Sequence, residues 1–266
     1  NVPNAPQYGL ITIEKRDIET VNVPQGDASL SGATYQVFDS DGDLAATLKA
    51  SGTSVTSDPI PLGTYTVKEL IAPEGYLLNE ESFSITIAYD ADKFDANDVY
   101  LHISDQVIKG QIEINKTAET RLAGQDTRLA HPPLAGAVFE IRLKSTGKLI
   151  DTLITDKDGC ALSYDLPYGT YTITETIAPE GYLPCDPFDV SITEDSEIYS
   201  YDIQDDVIRN QVTITKVDSE TFEPIASGET AFKIMEANGD WVTMDGQSVF
   251  TSDTTGILTL PEKLKY

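Results

Sequence analysis

The 266 residues carry 18 basic against 44 acidic side chains, a formal charge of −26, and such a surface repels nucleic acid and anionic membrane. Forty per cent of the residues are apolar, enough for packed cores, so the acidity does not imply disorder. No run approaches the roughly 18 apolar residues of a spanning helix, and two cysteines exclude a disulfide-rich scaffold. No signal peptide opens the sequence and no hydrophobic tail closes it, so targeting and anchoring signals are expected outside this stretch.

Taken in chain order, the segments repeat. A lead-in over 1–8 is followed by GLITIEKRD (9–17), which returns as GQIEINKTA (110–118) and NQVTITKVD (210–218). LSGATYQVF (30–38) returns as LAGAVFEIR (134–142), and GTYTVKELIAPEGYLLN (63–79) returns as GTYTITETIAPEGYLPC (169–185). ISDQVIKGQIEINK (103–116), which closes one copy and opens the next, returns as IQDDVIRNQVTITK (203–216). The period of about 100 residues sets domain 1 at 9–109, domain 2 at 110–209 and the first half of a third copy at 210–266. Between turn signals such as Asp41-Gly42, Asp158-Gly159 and Asn238-Gly239, the segments are short, alternating and rich in Val, Ile, Thr and Tyr. The expected fold is all-β: immunoglobulin-like sandwiches in series. With almost no linker at Lys109-Gly110 and Arg209-Asn210, the array should be an elongated rod.

Three ionisable residues in each complete copy, and one lysine in the third, fall on the inward phase of a period-two strand. Ile11, Ile13 and Lys15 share a phase, as do Ile112, Ile114 and Lys116, and Val212, Ile214 and Lys216. Tyr65, Val67 and Glu69 match Tyr171, Ile173 and Glu175. Val99, Leu101, Ile103 and Asp105 match Tyr199, Tyr201, Ile203 and Asp205, with Asp206 out of phase. Snorkelling lysines would explain one such placement but not six at equivalent positions. Groups buried this way must be paired, neutralised or bonded, which leaves a buried salt bridge or a covalent link.

The opening IEKRD, the GxYxxxE–xxAPEGY box and the last-strand acid resemble the collagen-adhesin B-type repeats, also called SpaA-like or prealbumin-like domains, of Gram-positive pilins and adhesins. The resemblance covers 9–209 and the first half of a further copy. It implies autocatalytic isopeptide bonds, Lys15–Asp105 promoted by Glu69 and Lys116–Asp205 promoted by Glu175. Asn is the more frequent partner in the family; with Asp, each bond releases water instead of ammonia. Lys216 would be an unpaired cross-link lysine, its glutamate and Asp or Asn falling after Tyr266. The resemblance further implies an extracellular, cell-wall-anchored protein with no cofactor and no enzymatic turnover on a substrate. Expected partners are further repeats of the same chain, with no nucleic acid and no membrane contact. The expected function is a structural stalk or pilus-like module of a cell-surface protein; an adhesive role toward host matrix protein or glycan is the alternative, its longest candidate loop being RLAGQDTRLAHPP (121–133).

Other signals carry less. Asp39, Asp41 and Asp43 mimic the start of a calcium loop, but Ala50 stands where its twelfth-position Glu belongs, so a solvated turn is expected and no metal site. Trp241 reads as packing. Cys160 and Cys185 flank the Glu175 strand, and either a disulfide or two thiols fits that placement.

Overall fold

In a computed structural model of the chain, the structure describes residues 7–90, 95–119, 131–226, 230–237 and 239–265. Residues 121–130 of the domain 2 insertion and Asn238 of the third turn signal lie outside them. Among the described residues every regular element is a strand. The chain divides into two compact units: one comprises Asn1–Lys116, Pro133–Ile177 and Cys185–Ile203, the other Thr117–Pro132, Ala178–Pro184 and Gln204–Tyr266.

The first unit holds one sandwich and most of a second. In the first, an opening strand, Ile11–Asp17, lies between a closing strand, Val99–Asp105, and the short Ser54–Thr56. Opening and closing strands run parallel, with Ile11 opposite Val99, Lys15 opposite Ile103 and Asp17 opposite Asp105. Parallel neighbours need a long crossover, and here the rest of the domain supplies it. The facing sheet is antiparallel, in the order Leu44–Lys49, Thr34–Phe38, Gly63–Ile71 and Ser82–Ile87. Ile11, Ile13, Val37, Val67, Ile87 and Ile103 pack between the two sheets. The strand Gly63–Ile71, called the box strand below, buries Tyr65, Val67 and Glu69, so the period-two reading holds there.

The second sandwich repeats the plan. Its opening strand, Lys109–Ala118, pairs with Cys160–Leu162, Leu166–Pro167 and the closing strand Ile198–Asp205. The facing sheet runs Leu149–Ile154, Val138–Leu143, Gly169–Ile177, Phe188–Ile192. Its box strand, Gly169–Ile177, buries Tyr171, Ile173 and Glu175. The box tyrosines behave alike in both copies: Tyr65 donates to Pro61 O at 2.8 Å and Tyr171 to Pro167 O at 2.7 Å. Each phenol is thus satisfied while its ring fills the core.

In the second unit, Thr213–Thr215 pairs with Ile257–Thr259, and a small core forms from Val242, Met244, Phe250, Leu258 and Leu260. Trp241 departs from the expectation. It is 52% exposed, with Lys233 Nζ 5.4 Å from its ring centroid.

Two of the turn glycines make a matched pair. Gly42 (φ +87°) has open space around the position a Cβ would take, whereas a Cβ on Gly159 (φ +78°) would lie 2.3 Å from Lys116 O and 3.2 Å from Leu134 N. Gly42→Ala is therefore expected to cost only the left-handed penalty, about 1–2 kcal/mol. Gly159→Ala should cost clearly more, because it pushes on the strand carrying Lys116. Denaturant unfolding of the two variants checks the order; equal losses would show that the Gly159 turn yields freely.

Candidate functional site

The opening strand alternates buried and half-buried residues through Ile11, Ile13, Lys15 and Asp17. That phase carries Lys15 into the core, where it is 1% exposed. Lys15 Nζ donates to Glu69 Oε1 at 2.6 Å. It also meets Asp105 Oδ1 as an ion pair, outside hydrogen-bonding angles, so both Asp105 oxygens are buried without a hydrogen-bond donor. The Tyr35 ring lies beneath the amine, 5.9 Å from its centroid. Tyr35 faces Glu69 across the ladder at a register shift, which aims both side chains at the lysine. Glu69 is fixed from its other side by the Asn79 N–H, which donates to Oε2 at 3.0 Å.

The second sandwich rebuilds most of this. Lys116, fully buried, donates to Glu175 Oε2 at 2.8 Å. Phe139 takes the place of Tyr35, 5.4 Å from the amine and opposite Glu175 at a matching register shift. The N–H of Cys185, the residue equivalent to Asn79, donates to Glu175 Oε2 at 2.8 Å. Asp205 is buried at the end of the closing strand while Asp206 is exposed, as the phase argument expects.

The electrostatics of the first cluster follow from burial. Desolvation raises the Asp105 carboxyl most; Lys15 pulls it back and the nearby Glu69 charge adds to the rise, leaving it at about 7. Asp17, one step further along the opening strand, behaves oppositely. Burial alone would raise it, but N–H donors from Thr20 and Glu19, the Gln25 amide and the Tyr76 hydroxyl outweigh burial and hold it below its usual range. Two buried acids thus lie side by side on parallel strands, Asp17 held low by several donors and Asp105 raised by burial with only the Lys15 amine to offset it.

Sequence reading missed Asp17, although its phase with Ile11, Ile13 and Lys15 marks it. It also missed the backbone clamps at Asn79 and Cys185, where the donor is an amide common to every residue type but proline. Lys216, whose phase points inward, is exposed beyond the end of its strand. Among the described residues of the third copy, no box strand or closing strand covers it. Of the two arrangements that the sequence leaves open for Cys160 and Cys185, the structure has the one without a disulfide. Cys160 lies on the exposed side of its strand with Sγ on Asn115 Oδ1 at 3.3 Å, whereas the Cys185 backbone is committed to Glu175. The Asp39 carboxylate accepts the Asp41 and Asp43 N–H groups at 3.0 and 2.9 Å, a side-chain-closed turn.

Fold and clusters together define tandem all-β sandwich modules, each with a lysine and a glutamate paired in its core. The family profile of the SpaA prealbumin-like fold domain matches residues 10–100 and 110–207, and the chain belongs to this family. Among solved structures, the Bacillus anthracis TIE protein matches over 98% of this chain at 27% identity, with a TM-score of 0.61; the chain spans 44% of that protein's length. The Streptococcal ancillary pilin matches over 98% of this chain and 88% of its own, at 18% identity and a TM-score of 0.35. The C-terminal fragment of the pilus adhesin SpaC from Lactobacillus rhamnosus GG matches over 76% and 98%, at 16% identity and 0.47. No curated protein matches the chain.

Removing the amine isolates the Asp105 titration. In a Lys15→Met variant Asp105 loses the group that lowers it, so its folded value rises further above the unfolded one. The folded state then binds more protons than the unfolded state between those values, and stability is lost as pH rises through them. Denaturant unfolding of Lys15→Met should show the first sandwich more stable near pH 5 than near pH 8, roughly the window that the unfolded reference and the raised value bracket. A flat profile would mean that Asp105 is not buried as described.

Proposed function

We propose that this chain is a structural stalk module of a Gram-positive surface protein or pilus, stiffened by self-formed isopeptide bonds Lys15–Asp105 and Lys116–Asp205. The observation that supports this most is the first cluster: a buried amine against a buried carboxyl that has no hydrogen-bond donor, with a glutamate bridging to the amine. The chemistry is balanced. A neutral Lys15 amine attacks the protonated Asp105 carboxyl, the new C–N bond replaces the C–OH bond, and one water leaves. Glu69 hydrogen-bonds the carboxyl and relays protons but is not consumed. Folding supplies the proximity that a catalyst would otherwise provide. Glu175 does the same for Lys116 and Asp205 by equivalence of the repeat.

The product explains why so costly a burial is kept. The amide carries no charge, so the desolvation penalty of the ionised groups disappears once the bond forms. Each link closes about 90 residues into a loop, worth roughly 4–5 kcal/mol against the unfolded state. Domain limits at 9–109 and 110–209, a rod-like array, an extracellular cell-wall setting and further repeats as partners belong to the same reading. Lys216 keeps its amine in this chain. An adhesive role through the loops is the second reading, and binding of the fragment to matrix protein or glycan would favour it.

Intact mass tests the reading directly. The purified chain should weigh two waters less than its sequence. Lys15→Ala or Asp105→Ala should restore one, and Lys116→Ala or Asp205→Ala the other. Glu69→Ala or Glu175→Ala should leave a folded, protease-sensitive domain without its bond. A chain at full sequence mass would sink the proposal.

A further inference from the structure

Tyr76, the tyrosine of the first Pro-Glu-Gly-Tyr turn, is buried with its hydroxyl donating to Asp17 Oδ2 at 2.9 Å. It bridges to Val107, just past the closing strand. Its ring belongs to a small separate cluster with Ala28, Leu30 and Val107, and Tyr168 of the second sandwich packs against that cluster. Tyr168 is held in place at several points. Its hydroxyl donates to Glu74 Oε1 at 3.0 Å, its carbonyl accepts from Asp27 N at 2.8 Å and its N–H donates to Ile108 O at 2.8 Å. Two residues on, Thr170 N–H donates to Asp27 Oδ2 at 3.1 Å. The ring fits closely over Gly75, where a Cβ would come within 2.7 Å of Tyr168 Cδ1 and 2.6 Å of Ala28 Cβ. This residue also breaks the repeat, since Leu62 stands at the matching place in the first copy and Glu262 in the third.

We propose that Tyr168 is a positioning residue for the chemistry of the preceding copy: by covering Tyr76 it keeps water from the Asp17–Tyr76 end of the first cluster and so sets how fast the Lys15–Asp105 bond forms. The inference rests on the cross-linking reading above. The link between the two places is short, because Tyr76 is bonded to Asp17 and Asp17 is the ladder partner of Asp105. Lys15 and Asp17 on the opening strand, Glu69 on the box strand, Tyr35 on the strand beside it and Tyr76 on the turn are the ionisable groups around Asp105. Burial is the main cause holding Asp105 at about 7, and water admitted beside it would lower that value. A fall of about one unit would cut the protonated fraction near neutral pH roughly fivefold, and with it the rate of a step that needs the protonated acid.

The test uses the whole chain, made in a short pulse of cell-free translation and then shifted into buffers spanning neutral pH. Closure in each copy is followed separately, by the masses of proteolytic fragments. Tyr168→Ala is expected to slow copy 1 about fivefold at neutral pH and to move the alkaline limb of its pH–rate profile to lower pH. Copy 2 should be unchanged, and Tyr168→Phe, which keeps the ring, should stay near the wild-type rate in both copies. Wild-type rate and profile for copy 1 in Tyr168→Ala overturns the proposal. Equal slowing of both copies overturns it too, because that reports a general folding loss. A wild-type chain that never loses water in copy 1 removes the cross-linking reading, and this proposal with it.

Discussion

A lysine amine inside a sandwich core cannot be left uncompensated, and most of what is particular to this chain follows from that constraint. An ion taken out of water loses several kcal/mol of solvation unless its surroundings restore it. Around Lys15 the restoring groups come from three directions: Glu69 from the box strand, Asp105 from the closing strand, and the face of Tyr35 beneath. Each needs support of its own. Glu69 is steadied by the Asn79 amide, and the register shift beside Tyr35 turns ring and carboxylate toward the same point. The parallel pairing of opening and closing strands, unusual in an otherwise antiparallel fold, is what brings Asp105 to the lysine.

The copies test the constraint against one another. Lys116 keeps the glutamate, the aromatic and the backbone clamp although the aromatic is Phe139 and the clamping residue is Cys185. What stays constant is the geometry and not the residue identity at the supporting positions. Asp17 marks the limit of the equivalence, since Ala118 occupies the same phase in the second copy. The Asp17 donor set is therefore not something a buried lysine requires. It belongs to the turn that meets Tyr76. Lys216 supplies the converse case. In the same phase but without a box strand and closing strand over it among the described residues, the lysine is exposed.

Much of this was legible in the sequence because strands alternate with period two. Glu69, Glu175, Asp105 and Asp205 were placed by phase alone, and the distinction between Asp205 and Asp206 is visible in the same way. The test needed only one more step to include Asp17. Other features leave no such trace. The Asn79 and Cys185 clamps are backbone donors, so the side chains at those positions carry no signal. Parallel pairing of the first and last strands depends on the crossover as a whole. Tyr168 escaped because repeat comparison rewards agreement, and this residue departs from Leu62 and Glu262. Lys216 shows that phase tells which side of a strand a residue takes, not whether anything covers that side.

The direction of the paired strands bears on the mechanical role proposed for the array. Tension along the chain enters a domain at the start of its opening strand and leaves at the end of its closing strand. Were the two antiparallel, with those ends adjacent, their hydrogen bonds would break singly, in sequence from the loaded end. In the first sandwich they are parallel from Ile11 and Val99 to Asp17 and Asp105. The pull is then along both strands in opposite senses, and the whole ladder is loaded in shear together. The Lys15–Asp105 link would sit near the far end of that ladder, so tension would run along only Ile11 to Lys15 before crossing to the residue from which it leaves. From Asp105 the next copy's opening strand begins at Lys109, and between them lie Val107 and Ile108, held by Tyr76 and Tyr168. On the proposed reading the bond and the covered turn would act on the same short path: one would prevent a domain from lengthening, and the other would keep the segment that joins it to its neighbour from stretching.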